Sequence, residues 1–236
     1  VTRPTLSATL GPLRVGQTRP FGPPGHSSAI DKQAVTGPIY LDRQGLAGDQ
    51  QADRRVHGGP DKALHYFPAE HYATLATHWP GLNWVVGAFG ENLSGHGLGE
   101  ADVCVGDVFS LGACQVQLSQ GRQPCWKLNV RFGQPGMARW VEQSGCTGWY
   151  FRVLTPGWLQ GGETLRLLAR PQPQANLAQV MLALRGAPVP RETLAQLAAL
   201  PGLPARWQQR LQARLAGAVP QDTWARWQTP SDGDAQ

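Results

Sequence analysis

Residues 113–129 read Ala-Cys-Gln-Val-Gln-Leu-Ser-Gln-Gly-Arg-Gln-Pro-Cys-Trp-Lys-Leu-Asn, and the two halves of this stretch follow different rules. In the first half Cys114, Val116 and Leu118 alternate with Gln115, Gln117 and Ser119. Successive side chains of a strand point to opposite faces, so the pattern predicts a half-buried β-strand over 113–119. In the second half the alternation stops. Pro124 fixes its own φ and restricts Gln123, which stiffens the backbone presenting Cys125. Arg122 and Lys127 lie within three residues of that cysteine. A nearby cation favours the thiolate, the form that binds a metal or attacks an electrophile. Cys104, Cys114 and Cys146 have no such setting and read as buried, inert thiols.

Outward from this stretch, the first 170 residues are mixed but mostly strand. Val103–Leu111 carries Gly106-Asp107 between apolar residues, which suits a tight turn or bulge. Thr164–Ala169 is a further short strand. Two helices interrupt them. Over Pro68–Trp79, Tyr72, Leu75, Ala76 and Trp79 recur at helical spacing, with Pro68 suited to a first turn. Pro135–Ser144 is followed by Gly145, placed as a C-terminal cap. Strands and helices in this irregular order predict an α+β fold with a β-rich, barrel-like domain over 1–170, not a doubly wound sheet.

The composition changes at Arg170-Pro-Gln-Pro-Gln174, read as a semi-rigid linker over 171–175. From 176 to 229 the periodicity is helical. Asn176 can cap a helix bearing Leu177, Val180, Met181 and Leu184. Leu194 and Leu197 follow on 191–200, and Trp207, Leu211 and Leu215 on 204–216. A last turn near Asp222 carries Trp224 and Trp227. A three-helix unit of about 55 residues is marginal alone, so it is expected to lean on the first domain or on a second subunit. Residues 230–236 read as a disordered tail.

Composition bounds the function. The chain has 236 residues, 16% of them charged, with 29 Gly, 20 Pro and nine Trp. That is turn-rich but holds enough apolar material for a core. No run of 18 apolar residues suggests a membrane span, and the N-terminal residues lack a signal-peptide pattern. Four cysteines without a C-x-x-C pair argue against a structural zinc site and a disulfide framework, and place the chain in the reducing cytoplasm. The net charge is +5, and residues 174–229 hold six Arg against Glu192 and Asp222. A solvated arginine-rich helix face is the simpler reading of that excess, an acidic partner the other.

Two further clusters carry chemistry. Gly45-Leu-Ala-Gly-Asp49 leads through Gln51-Ala-Asp53 to Arg54-Arg-Val-His-Gly-Gly-Pro-Asp-Lys62. Gly58 and Gly59 let backbone N–H groups approach a ligand, and Arg55 and Lys62 can add charge-assisted contacts to a phosphate. A plain Gly-Gly-Pro turn with solvated basic neighbours fits the same residues. Phe89-Gly-Glu-Asn-Leu93 sets Glu91 and Asn92 after a glycine, where they could orient a histidine or bind a polar ligand.

Together these motifs resemble the MOSC family, the domain also found at the C-terminus of molybdenum-cofactor sulfurases, and most closely its YiiM-like, hydroxylaminopurine-resistance subgroup. The resemblance rests on Gly45-x-x-Gly-Asp49, His57-Gly-Gly-Pro-Asp-Lys62, Pro68-x-Glu-His-Tyr72, Gly90-Glu-Asn-Leu93 and Arg122-x-Pro-Cys-x-Lys-Leu-Asn129. One departure is Gly121, where proline is expected before the arginine.

The resemblance implies a barrel-like fold and a molybdenum cofactor (molybdopterin), with Cys125 as the metal's sulfur ligand. A soft thiolate suits such a metal. The pterin carries a phosphate, for which Arg55, Lys62, Arg122 and Lys127 are the basic candidates, with Gly58, Gly59, Asn92 and Asn129 as further cofactor contacts. His57 and Glu91 would form a proton relay. The implied reaction is reduction of an N–O bond, in which R–NHOH takes two electrons and two protons and leaves as R–NH2 and water. The substrates would be N-hydroxylated purines and related hydroxylamines, with Trp126 placed to stack on a flat base.

No dinucleotide fingerprint or iron–sulfur cysteine set is present, so a separate reductase would donate electrons. The basic helices around Arg206, Arg210 and Arg214 could dock it. A homodimer is compatible with the sequence, whereas membrane association and stable nucleic-acid binding are not expected. Two alternatives remain open. One is a cofactor or sulfur carrier without turnover, and the other a cysteine-nucleophile hydrolase using Cys125, His57 and Glu91.

Overall fold

The computed structural model describes residues 6–53, 58–218 and 224–231. Seven strands close a barrel in the order β1 (Ser7–Leu10), β14 (Thr164–Ala169), β10 (Val108–Leu111), β11 (Cys114–Gly121), β12 (Trp149–Thr155), β8 (Leu64–Pro68), β9 (Leu93–His96). All these neighbours are antiparallel except β8 and β9, which pair in parallel. Beside the barrel, β6 (Ile39–Asp42), β7 (Gly45–Leu46) and β13 (Gly157–Leu159) form a small sheet. Two ribbons complete the strands: β2 (Arg14–Val15) with β5 (Gln33–Ala34), and β3 (Arg19–Pro20) with β4 (Ser27–Ser28). The fold is α+β, as the sequence predicts.

The opening stretch forms β11. Its first half buries Cys114, Val116 and Leu118, as the alternation requires. From Leu118 onward every residue is buried. The register against β12 shifts between Leu118 and Gln120, so the strand bulges at Ser119. A bulge re-aims the side chains that follow it. On the inner face of β12, Trp149 stacks on Tyr66 with ring centroids 4.5 Å apart.

The 68–79 segment departs from expectation. Pro68 ends β8, and the helix is α1 (His71–His78), with Tyr72 and Leu75 buried and Ala76 exposed. The apolar run Leu64–Phe67 draws Pro68 into the strand, where its missing N–H matters least at the end. The other helices are α2 (Lys127–Phe132), α3 (Met137–Ser144), α4 (Leu177–Leu184), α5 (Arg191–Ala198), α6 (Ala205–Leu215) and α7 (Trp224–Trp227). Gly145 ends α3 in the left-handed region at φ 82°. Asn176 caps α4, its side chain accepting from the Gln179 N–H at 3.3 Å.

Residues 171–175 are not an open linker. Gln172 and Ala175 are buried. The Ala175 carbonyl accepts from Val105 N–H at 2.9 Å, and Gln172 Nε2 donates to the Pro201 carbonyl at 2.8 Å. The apolar faces of α4, α5 and α6 join the barrel's own hydrophobic core through Leu177, Val180, Leu194, Leu197, Trp207 and Leu211.

The arginines here are mostly structural, not a solvated face. Arg210 donates to the Leu184 carbonyl at 3.1 Å, Arg214 to the Ala183 and Ala187 carbonyls, and Arg191 to the Leu215 carbonyl at 3.0 Å. Cations at helix C-termini satisfy carbonyls that lack an intrahelical partner. The turn near Asp222 and the tail from 232 lie outside the described residues. Among the described residues, no helix is long and apolar enough to cross a membrane.

Candidate functional site

Cys125 follows the end of β11 and precedes α2. Arg122 N–H, donating to the Gly148 carbonyl at 3.0 Å, anchors the loop to β12's approach. The Cys125 carbonyl accepts from Leu128 N–H at 3.0 Å and so starts the helical turn. The loop is also fastened from the far end of the chain. Trp126 N–H donates to the Arg226 carbonyl at 2.8 Å, and Asn129 Nδ2 to the Trp227 carbonyl at 2.7 Å. The side chains of Arg226 and Trp227 both return to Glu142, whose Oε2 accepts from Arg226 and, at 2.9 Å, from Trp227 Nε1. Cys125 is partly exposed, whereas Cys104, Cys114 and Cys146 are buried, as expected.

Cys125 lines a cleft together with Lys32, Lys62, Arg122 and Lys127, and with Asp49 as the single carboxylate among the described residues. Burial pushes the Lys62 ammonium down, the charge of Arg206 adds to this, and Cys125 opposes it. Burial also pushes Lys127 down, with Cys125 and Asp53 opposing. Both lysines therefore sense the cysteine sulfur. Lys127 Nζ donates to the Ser27 carbonyl at 2.7 Å. Lys32 is ion-paired with Asp49, and burial holds its pKa below the ordinary value against that pairing.

Two buried polar atoms on lining residues have no partner among the described residues: Nη1 of Arg122 and Nε2 of His65. Burial, and then the Arg122 charge, hold His65 well below its ordinary value, so its ring is neutral near pH 7. Its ring is tilted against Tyr150, centroids 5.2 Å apart. Burial raises the Tyr150 hydroxyl's pKa, while Arg122 opposes this.

The remaining expected residues divide. Asn92 lines the cleft and ties it together. Its Oδ1 accepts from His65 N–H at 3.0 Å, and its Nδ2 donates to Asp49 Oδ2 at 2.8 Å. Asn129 points away, with Nδ2 on Trp227 and Oδ1 accepting from Ala138 N–H at 2.9 Å. Glu91 is fully buried behind the cleft. Its carboxylate accepts from the Tyr72 hydroxyl at 2.7 Å, Gly87 N–H at 2.6 Å and Phe89 N–H at 3.2 Å. Gly58 and Gly59 lie outside the lining. Gly59, at φ 90°, leads into the 3-10 turn Pro60–Lys62 that delivers Lys62. Arg55 and His57 lie outside the described residues.

Lys32, Asp49, His65 and Tyr150 were not among the candidates. Asp49 stood within a recognised motif, and that position was the available signal. Among the described residues, no group of three or more His, Cys, Asp or Glu side chains converges as a metal site.

Residues 53–166 match the model of the MOSC domain, and residues 177–218 that of the YiiM-like, 3-alpha helix domain. Over 150 residues the chain is 43% identical to Protein YiiM of Escherichia coli (strain K12), covering 63% of this chain and 67% of YiiM. The chain belongs to the MOSC family. The crystal structure of YiiM from Escherichia coli is similar to this MOSC fold over 94% of this chain and 98% of its own, with a TM-score of 0.78 at 29% identity. A protein named Reductase from Gibberella moniliformis (strain M3125 / FGSC 7600) is 35% identical over 178 residues. That match covers 74% of this chain but only 32% of the fungal protein, so the MOSC chain corresponds to about a third of it.

Proposed function

We propose that this MOSC protein binds a molybdenum cofactor through Cys125 and reduces N-hydroxylated bases and hydroxylamines to amines. The observation that carries the reading is a partly exposed cysteine in a cleft that, among the described residues, holds four cations and one carboxylate, beside buried Arg122 and His65 atoms without partners among those residues. An unpaired buried donor is expensive unless a ligand completes it. The excess of cations suits a phosphate-bearing cofactor, and the soft sulfur suits its metal. The metal's other ligands would come with the pterin. The kinship with a fungal protein named as a reductase agrees with this class of chemistry.

When bound, the cofactor supplies the two-electron chemistry. Cys125 holds the metal. Lys62, Lys127 and Arg122 hold the pterin phosphate by charge-assisted hydrogen bonds. Asn92 positions Asp49 and, through it, Lys32. His65, neutral in the fold, holds one proton on its ring at the cleft wall. Glu91, already engaged by Tyr72, Gly87 and Phe89, braces the 87–91 turn. His57 and Arg55 retain the roles of proton donor and phosphate contact that the family resemblance implies. Electrons arrive from a separate reductase.

The test is elemental analysis for molybdenum and tungsten on protein from a cofactor-producing host, with Cys125→Ala in parallel, followed by turnover of an N-hydroxylated purine with a chemical reductant. Near-stoichiometric metal in the wild type, lost in Cys125→Ala, with amine formed only by the former, is the expected result. Pterin and metal without N–O reduction would turn the reading to a carrier. A well-folded wild type with neither, despite cofactor supply, would end it.

A further inference from the structure

Cys125 stands between two backbone anchors. On the strand side, Arg122 N–H donates to the Gly148 carbonyl at 3.0 Å. On the helix side, Trp126 N–H donates to the Arg226 carbonyl at 2.8 Å. Only Gln123, Pro124 and Cys125 lie between them, and Pro124 takes one soft torsion out of that span. The place of the sulfur is therefore set by Gly148, next to β12, and by α7, far along the chain.

α7 is four residues long, too short to hold its own shape in water. What holds it is Glu142 on α3, whose side chain is buried at 1% exposure. Its Oε2 accepts from Arg226 and, at 2.9 Å, from Trp227 Nε1. Its main-chain carbonyl accepts from Arg185, which follows α4. A buried carboxylate is tolerated only with partners of this kind. Asn129 closes the circuit. Its Nδ2 donates to the Trp227 carbonyl at 2.7 Å, and its Oδ1 accepts from Ala138 N–H at 2.9 Å, one turn before Glu142 on α3. Asn129 was expected at the cofactor, but both ends of its amide are engaged here.

We propose that Glu142 and Asn129 are positioning residues: through α7 they fix the backbone at Trp126 and so aim the Cys125 sulfur at the metal. The inference rests on the reading of Cys125 as the metal's ligand. Asn129 and Glu142 do not line the cleft themselves. A metal ligand must be held to within about 0.5 Å of its working place, and a loop fixed at one end only does not achieve that. The C-terminal helical part thereby completes a site that the barrel begins.

The experiment starts with cofactor-free protein. The rate of Cys125 alkylation by iodoacetamide is followed by mass spectrometry of the peptide that carries it. Molybdenum content, and its rate of loss on dialysis, are then measured on protein from a cofactor-producing host. The variants are Glu142→Gln, Asn129→Leu, Arg226→Lys and, as a control, Leu194→Ala, which opens a cavity at a buried position of α5 and lowers Tm. Glu142→Gln and Asn129→Leu should alkylate at least about fivefold faster than the wild type, because a loop released at one end opens more often. Both should lose molybdenum about tenfold faster. Arg226→Lys, which keeps the ion pair and the main-chain bond, should stay close to the wild type, and so should Leu194→Ala despite its lower Tm. Alkylation at or below the wild-type rate in both Glu142→Gln and Asn129→Leu overturns the inference. So does molybdenum retention equal to the wild type's, or an equal rise in Leu194→Ala. Where Glu142→Gln does not fold, Trp227→Phe removes a single bond to the same oxygen and takes its place. Failure of the cofactor reading shows separately, as a wild type that binds no molybdenum while Glu142→Gln still releases Cys125.

Discussion

His65 and His71, six positions apart, respond to folding in opposite directions. His71 Nε2 lies 2.8 Å from Glu100 Oε2, and Glu100 Oε1 also accepts from Thr147 N–H at 2.9 Å and Gly148 N–H at 2.7 Å. Burial opposes a charged His71, but hydrogen bonds to Cys146 and Glu100 outweigh it and raise its pKa from 6.5 to about 10. A folded pKa above the unfolded one adds stability that is complete below about pH 6.5 and lost as pH rises through about 10. His71→Asn should therefore cost roughly 3 kcal/mol near pH 6, the scale of a broken buried pair. Its unfolding free energy should approach that of the wild type as pH nears 10. Denaturant titrations across that range decide it, and a constant gap would mean that His71 is neutral in the fold.

His65 works the other way. Its folded pKa lies well below 6.5, so the unfolded chain takes up the proton first and stability falls as pH drops below about 6.5. Replacing it with Gln should flatten that acid limb, read as Tm against pH. At this scale the candidate site was partly legible. Cys125, Lys62, Arg122, Lys127 and Asn92 do meet in one cleft. His65 escaped notice because it sits on a strand buried at all five positions, where alternation carries no signal. Lys32 belongs to no recognised motif, and its role follows from a partner 17 residues away.

Among the elements, β11 and α4 meet at Gly121, where the family resemblance leads one to expect proline. A Cβ built at Gly121 would collide with the Met181 side chain on α4, so the glycine is the seat of that helix. Gly121→Val should destabilise by about 1–3 kcal/mol through overpacking. Adding Met181→Ala should recover part of the loss, as read from urea midpoints. A silent Gly121→Val would mean that α4 does not rest on the strand. The strand itself, the Gly145 cap and the Asn176 cap could be read from local pattern. Pro68 could not, because the same residue suits a helix's first turn and a strand's last position. Residues 171–175 look like a linker by composition, and their burial depends on Val105 and Pro201, both distant in sequence.

For the whole molecule, the barrel and the helical unit share one apolar core. Unfolding by calorimetry should accordingly show a single cooperative transition, with calorimetric and van't Hoff enthalpies in agreement. Two resolved transitions would show that the helices hold together alone, contrary to expectation for so small a unit.

The barrel closes where β1 pairs on one side with β14 and on the other with β9. Ser7 is thus matched with Arg166, and Thr9 with Thr164. During synthesis the barrel's first strand must wait for its last before the second edge is covered. Until then the nascent sheet carries two open edges able to pair with a neighbouring chain. Pairings so distant in sequence also slow closure. Overexpression should expose this interval: aggregation would begin on unfinished chains, and slower translation or an early holdase chaperone would raise yield more than any added stability in the finished fold.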